Sequence, residues 1–174
     1  MKFIYIKIKL LIIFFLFTTS VYSQEKIVYL DMTLLINQSK AGQSINTQMQ
    51  KVLDKNNSEY QSIEKKLRKE EEDIAKKKNI LEPEKFKEEV NNFKKKINQL
   101  KTERNKKIND IKQRNIKAKN KLVENITKIL AKYSAENKVD LVLNKESIIL
   151  GIKTIDITEL ILDLLNKEVK KIKF

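Results

Sequence analysis

The sequence predicts an α+β fold, in which a long antiparallel helical coiled-coil hairpin projects from a small β-strand body that is completed by oligomerisation. Three observations lead to this prediction. Apolar residues recur at helical spacing from residue 41 to residue 137. The 174 residues include only two Gly and one Pro, which is typical of long helices. Short β-branched runs stand on both sides of the helical region, where they indicate strands.

The N-terminal segment, residues 1–23, has the three parts of a secretory signal peptide. Three lysines precede an apolar run from residue 10 to residue 17, and polar residues follow it. Val21 and Ser23 suit the positions three and one before a cleavage site, so we expect cleavage after Ser23 and export from the cytoplasm. The alternative is an uncleaved membrane anchor. It is less favoured because the run falls short of the about 20 residues that span a bilayer.

The composition excludes most catalytic chemistry. The full chain has a formal net charge of +14, and removal of residues 1–23 leaves +11, with no Cys and no His in the sequence. Disulfides and nucleophile–His pairs are therefore absent. A carboxylate-only catalytic pair or an oxygen-only metal cage is left open, but no EF-hand spacing is present. We expect a protein without enzymatic activity, cofactor or metal site.

The first predicted element of the mature chain is a strand over residues 26–30 (KIVYL). A helix of one or two turns begins near Met32, and Ser39 is placed to cap the next helix. That helix covers residues 41–79, where an apolar residue recurs every seven positions. Its second apolar row is broken, so the stripe is narrow. The recurring residues are Leu53, Tyr60, Leu67, Ile74 and Leu81, and the interruptions are Asn56, Glu70 and Lys77.

A tight turn near residues 80–83 separates this helix from a second one. Pro83 fits the first helical position, because its missing N–H needs no partner there. The second helix has a firmer apolar seam, with residues spaced mostly three and four apart. Two such seams joined by one turn predict an antiparallel coiled-coil arm over residues 41–137. The second seam consists of Phe86, Val90, Phe93, Ile97, Leu100, Arg104, Ile108, Ile111, Ala118, Leu122, Ile126, Ile129 and Tyr133.

After residue 137 the pattern changes to short apolar runs. Residues 139–143 (VDLVL) and 147–150 (SIIL) predict two strands joined in a β-hairpin. A last amphipathic helix begins near Thr158 and leads into a Lys-rich tail, residues 167–174, whose role the sequence leaves open. Residues 24–40 and 138–174 together are expected to form the β body. So small a sheet with apolar edges predicts association with further copies.

Positive charge is concentrated on the second predicted helix. Residues 94–121 contain twelve basic residues against Glu103 and Asp110. One interpretation is a solvated coiled-coil face, and another is attraction of an anionic partner. Nucleic acid would fit the charge, but the export signal argues against it as a physiological partner. On the first helix, acid-first ion pairs four residues apart are expected to give local support: Glu64–Arg68, Glu72–Lys76 and Asp73–Lys77.

This order of elements resembles the Skp/OmpH family of periplasmic chaperones. The resemblance covers essentially the whole mature chain, and it lies in the signal peptide, KIVYLDM, SKAGQS, the charged hairpin, YSAENKVDLVLNKESIILG and DITELIL. It implies a periplasmic homotrimer, in which trimerisation completes the β body and the arms surround a cavity for unfolded outer-membrane proteins. It also leaves room for contact with an anionic membrane surface or lipopolysaccharide.

The resemblance implies an ATP-independent holdase that binds unfolded outer-membrane β-barrel proteins and prevents their aggregation before membrane insertion. The sequence has no Gly-rich phosphate loop. The alternative is a structural or surface-attaching coiled-coil envelope protein without client binding. We expect client contact from Tyr60, Leu67, Ile80, Leu81, Phe86, Phe93, Lys94, Lys95, Lys96, Lys101, Lys106 and Lys107. We expect oligomer contact from Ile27, Val28, Tyr29, Leu30, Leu141, Val142, Leu143, Ile148 and Ile149.

Overall fold

The structure is a computed structural model that describes residues 25–174. The predicted signal peptide and its cleavage site lie outside the described residues. The predicted first strand, short helix, two long helices and last helix are all present. The elements are β1 (Ile27–Leu30), α1 (Met32–Gln38), α2 (Lys40–Lys76), α3 (Pro83–Asn137), β2 (Leu141–Asn144) and α4 (Thr158–Glu168), with short 3-10 turns at Lys77–Asn79, Lys145–Ser147 and Lys153–Ile155.

Two side-chain caps begin the first two helices. The Asp31 carboxylate accepts a hydrogen bond from the N–H of Leu34 at 2.8 Å, and the Ser39 hydroxyl accepts one from the N–H of Gly42 at 3.1 Å. Each cap satisfies an amide that has no partner within its own helix. At position 42 an added Cβ would lie 1.8 Å from the carbonyl oxygen of Ile36. Gly42, in the first turn of α2, is therefore required by the close approach of α1.

The two long helices pack against each other on either side of the turn at Lys77–Asn79. Pro83 occupies the start of α3, as the sequence predicts. At 1.5 Å per residue, the 37 residues of α2 and the 55 residues of α3 have lengths of about 56 Å and about 83 Å. Ion pairs connect the two halves of the helix pair, and each successive pair lies farther from the turn in both halves. They are Lys77–Glu89, Glu70–Lys96, Glu64–Arg104 and Glu59–Lys107.

The two strands form a parallel pair, although about 110 residues separate them. Ile27 is in register with Leu141, and Leu30 with Asn144. The other edge of β1 is occupied by a bridge from Tyr29 to Asp156, where the N–H of Ile157 donates to the carbonyl of Tyr29 at 2.9 Å. The prediction that the segments flanking the long helices meet is confirmed.

The β-hairpin predicted over residues 139–150 is wrong. The chain leaves β2 in the turn at Lys145–Ser147, and residues 148–150 are not a strand. Contacts with α1 explain the change of direction. Thr33 donates a hydrogen bond to the Glu146 carboxylate at 2.6 Å, and the Lys145 ammonium lies 4.0 Å from the Asp31 carboxylate. The chain is drawn towards α1 instead of returning along β2.

The core lies where the ends of α2 and α3 meet α1, α4 and β1. The ends of both long helices are therefore part of the body. In the tail, Ile172 is buried, and the Gln48 side chain donates to its carbonyl at 2.8 Å, so this segment packs back onto α2. Over residues 25–174, no helix has both the length and the apolar character needed to span a membrane. The core contains Val28, Leu30, Leu35, Ala41, Ile45, Ala118, Leu122, Ile126, Ile129, Ile157, Ile161, Leu165 and Ile172.

Candidate functional site

The part of the helix pair farthest from the body is the candidate site, and we define residues 57–110 as the outer segment. None of its residues is buried. The predicted contact residues Tyr60, Leu67, Phe86 and Phe93 are half-buried between the helices, as is Leu81 beside the turn. Ile80, in the turn itself, is 79% exposed. The outer segment therefore presents partly accessible apolar groups along its whole length without enclosing a core.

Three ion pairs connect α2 and α3 within the outer segment, and a fourth connects the turn to α3. Lys107 lies 2.9 Å from Glu59, Arg104 lies 3.0 Å from Glu64, and Lys96 pairs with Glu70. Nearest the turn, Lys77 lies 3.1 Å from Glu89. All of these groups remain partly exposed, so each pair has a modest effect on stability. Lys96 and Lys107, two of the predicted client-contact residues, are engaged in this network.

The three ion pairs predicted within α2 are wrong. Glu64 pairs with Arg104 of the other helix instead of Arg68, and Lys77 pairs with Glu89 instead of Asp73. Lys76 contacts Asp73, three residues earlier, instead of Glu72. For Glu64 and Lys77 a residue of α3 with opposite charge supplies the partner, and for Lys76 the i, i+3 neighbour does so.

Glu59 and Tyr60 of α2 each contact a basic residue of α3. The hydrogen bond and positive charge of Lys107 lower the pKa of Glu59, and the same contact raises the pKa of Lys107. The Arg104 guanidinium lies over the Tyr60 ring, 5.2 Å from its centre. A cation–π contact of this kind holds the two helices together while both side chains remain accessible.

Much of the positive charge on α3 is left without an acidic partner. Of the twelve basic residues between positions 94 and 121, five lie within ion-pair distance of a carboxylate: Lys96, Arg104, Lys107, Arg114 and Lys121. The other seven have no such partner within residues 25–174: Lys94, Lys95, Lys101, Lys106, Lys112, Lys117 and Lys119. The predicted contact residues Lys94, Lys95, Lys101 and Lys106 are all in this second group.

Two open grooves run along the helix pair, and Ile74 and Phe93 line both of them. The first, of about 560 Å³, contains the ion pairs Glu70–Lys96 and Lys77–Glu89. The second, which we call the apolar groove, has a volume of about 390 Å³. Its further lining residues are Ala75, Phe86, Val90 and Ile97, with Glu71 and Lys94 as its charged groups. The two sides of the pair thus differ in character.

The predicted oligomerisation residues fall into three groups. Val28, Tyr29 and Leu30 are buried within the single chain, whereas Val142 and Ile148 are half-buried. The remaining members of the set are exposed: Ile27, Leu141, Leu143 and Ile149.

Sequence reasoning missed two neighbours of Ile149, namely Leu150 and Ile152, which are 91% and 67% exposed. The sequence showed the apolar run, but because the run was interpreted as a strand, the exposure of its side chains was not predicted. Sequence reasoning also missed a buried amide on the long helices. Asn56 is 2% exposed, and its side-chain oxygen has no hydrogen-bond partner among the described residues. In the sequence it registers only as a break in an apolar row. Within residues 25–174, no three acidic, His or Cys side chains are grouped in a way that could hold a metal ion.

Comparisons with known proteins agree with the architecture. Residues 26–165 match the sequence model of a family described as Outer membrane protein (OmpH-like). The fold is similar to the crystal structure of a candidate outer membrane chaperone (OmpH-like) from Caulobacter crescentus CB15, with a TM-score of 0.80 and 14% sequence identity. The similarity covers 87% of this chain and 90% of that chain. A search among curated proteins found no matching relative.

Proposed function

Because the chain belongs to the OmpH-like outer membrane protein family, we propose that it is an ATP-independent holdase, which binds unfolded outer-membrane β-barrel proteins and keeps them from aggregating before insertion. In this proposal the helix pair acts as an antiparallel coiled-coil arm, and clients are held against the arms. The mechanism combines electrostatic capture with many weak apolar contacts. Binding of this kind needs neither a catalytic group nor a nucleotide.

The observation that carries the proposal is the absence of buried residues throughout the outer segment. Its aromatic and aliphatic side chains, including Tyr60, Phe86 and Phe93, remain partly accessible beside unpaired lysines. An unfolded client has no fixed shape, so it is better matched by distributed contacts along a surface than by one enclosed pocket. Long Lys side chains add to these contacts because their methylene groups cover apolar surface while the ammonium groups stay hydrated.

The proposal places three copies around a common body. Exposed apolar side chains of the body support association of this kind, because exposed apolar groups commonly mark an interface. They are Leu141, Leu143, Ile149, Leu150 and Ile152. The buried residues of β1 would then stabilise each subunit, and the exposed residues of the same predicted set would join the subunits.

The proposed compartment is the periplasm, reached through a signal peptide that is cleaved after Ser23. The mature net charge of +11 would attract acidic clients and would also favour contact with an anionic membrane surface or lipopolysaccharide. Nucleic acid is not proposed as a physiological partner.

Native mass spectrometry of the mature protein, alone and with a urea-unfolded outer-membrane barrel protein diluted into buffer, tests this function. We expect a trimer that takes up one client. The same barrel protein, refolded in detergent beforehand, is the matched control and is expected to remain free. A protein of any oligomeric state that ignores the unfolded client would contradict the holdase function and would favour a structural coiled-coil protein of the envelope.

A further inference from the structure

Two isoleucines on α3 share an unusual setting. Ile97 and Ile116 are the large apolar side chains of this helix that are exposed, at 38% and 49%. Residues three and four apart on a helix are neighbours on one face. By this spacing Ile97 lies between Lys94 and Lys101, and Ile116 lies between Lys112 and Lys119. All four lysines lack an acidic partner among the described residues.

These six residues occupy one side of α3, which we call the lysine–isoleucine face: Lys94, Ile97, Lys101, Lys112, Ile116 and Lys119. At 3.6 residues per turn they fall within about 100° of the helix circumference. The ion-paired Lys96 and Lys107 fall on the other side of the seam that packs against α2. The apolar groove extends the lysine–isoleucine face, because Lys94 and Ile97 line both.

We propose, on the premise of the holdase function above, that the lysine–isoleucine face is the surface of the arm that holds the client. Its preferred ligand is an extended segment of unfolded protein in which an apolar side chain is flanked by acidic residues. The isoleucines and the apolar groove bind the apolar group, and the lysines on either side bind the acids. Lys94 and Lys101 are about 10 Å apart along the helix, the span of about three residues of extended chain.

The positive charge of the lysine–isoleucine face favours an acidic unfolded segment over a second copy of the chain as its ligand. A symmetric contact between two such faces would bring lysines against lysines, and like charges in contact are unfavourable. On the ion-paired side of the arm, the lysines that face the seam are already paired with glutamates of the opposite helix, which weakens their attraction for further acids. An acidic unfolded segment therefore matches the lysine–isoleucine face better than the ion-paired side.

The absence of Cys from the sequence makes position-specific cross-linking direct. A photo-cross-linker is attached to the single-Cys variants Ile97→Cys and Ile116→Cys, with Thr102→Cys and Gln113→Cys as controls on the exposed back of α3. With a urea-unfolded outer-membrane barrel protein, we expect cross-links to the client that are at least about fivefold stronger from positions 97 and 116. Equal yields from all four positions, or cross-links only to another copy of the chain, would overturn the inference.

A matched pair of charge variants separates the effect of the lysine–isoleucine face on client binding from the effect of the overall charge. One variant changes Lys94, Lys101, Lys112 and Lys119 to Gln, and the control changes Lys95, Lys106, Lys117 and Lys128 to Gln. Both lose four charges, but we expect the association rate with the client at low salt to fall about fivefold further in the first. Equal losses of association rate in the two variants would overturn the inference about the lysine–isoleucine face but not the holdase function. A wild-type protein that binds no client would overturn the holdase function as well.

Discussion

The hydroxyl of Thr158 accepts a hydrogen bond from the backbone N–H of Asp31 at 2.9 Å, across 127 positions of the sequence. The same hydroxyl donates to the carboxylate of Asp156, and Thr158 is 4% exposed. This chain of hydrogen bonds fixes the end of β1 to the start of α4. It therefore closes the body at the point where the beginning and the end of the described chain meet.

Replacement of Thr158 by Val should reduce the free energy of unfolding by about 1–3 kcal/mol while the shape is kept. The part-buried N–H of Asp31 loses its acceptor, and the Asp156 carboxylate loses the hydroxyl donor but keeps the backbone N–H of residue 158. Thr158→Ser retains the hydroxyl and is the control. Urea unfolding followed by circular dichroism measures the difference. If Val and Ser were equally stable, the hydrogen bonds would have no net effect.

Replacement of Gly42 by Ala should lower the free energy of unfolding by at least about 3 kcal/mol, because the new Cβ would meet the backbone carbonyl of Ile36. Gly151→Ala is a graded control. There the Cβ would lie 2.7 Å from the ring of Tyr29, a side chain that can move, so a loss of about 1 kcal/mol is expected. Thermal unfolding of both variants gives the order, and a reversed order would contradict the packing of α1 on α2.

The pair of Glu59 and Lys107 should stabilise the arm over a defined pH window. The pKa of Glu59 is lowered in the folded state, so its contribution is present above the ordinary Glu pKa of about 4.3 and is lost as pH falls through the folded value. The pKa of Lys107 is raised, so its contribution is present below the ordinary Lys pKa of about 10.4 and is lost as pH rises through the folded value.

This pH dependence can be measured by NMR titration of the Glu59 carboxyl carbon. In the variant Lys107→Gln the midpoint should rise towards the ordinary Glu value, because the hydrogen bond and the positive charge are both removed. Lys106→Gln removes a neighbouring charge and should leave most of the shift in place. An unchanged midpoint in Lys107→Gln would exclude this contact as the cause.

Replacement of Asn56 by Leu should raise the free energy of unfolding by about 1–2 kcal/mol, since it removes a buried oxygen without a hydrogen-bond partner and supplies an apolar group of similar size. Amide hydrogen exchange in the outer segment should slow in parallel. Asn57→Leu, at the exposed neighbouring position, should give neither effect. A destabilised Leu variant would mean that the amide of Asn56 is better satisfied in solution than its surroundings indicate.

Replacement of Lys138 by Gly should raise the free energy of unfolding by about 1 kcal/mol. Lys138 ends α3 with a φ of 54°, in the left-handed region, where a Cβ is unfavourable. Lys138→Ala keeps the Cβ and serves as the control, with no gain expected. Equal stabilisation by Ala and Gly would assign the effect to the lost charge instead of the backbone.

The elements with strong local signals could be predicted from the sequence. Ser39 as a helix cap, Pro83 as a helix start and the strand before Asp31 each depend on a few adjacent residues. The β-hairpin through residue 150 could not be judged in this way. Whether an apolar run becomes a strand depends on whether a neighbouring strand has a free edge to pair with. Here the hydrogen bond between Thr33 and Glu146, which are distant in the sequence, directs the chain away from β2.

The residue types of the candidate site could be predicted from the sequence, but their arrangement in space could not. The excess of lysines on the second helix is visible in the sequence, whereas the neutralisation of Lys96 and Lys107 depends on the register between the helices. Register is set by the geometry of one turn, and a shift of a single residue would rotate each partner by about 100°. The different character of the two sides of the arm follows from that register.

The parallel pairing of β1 with β2 has a consequence for how the protein reaches its native state. The two strands cannot pair until the chain has been synthesised beyond Leu141, because 114 positions separate Ile27 from this partner. The long helices need only local contacts and one short turn, which form rapidly, whereas closing so large a loop is slow. The helix pair can therefore assemble before the body closes, and a nascent chain that stops short of residue 141 would lack the strand that completes the body.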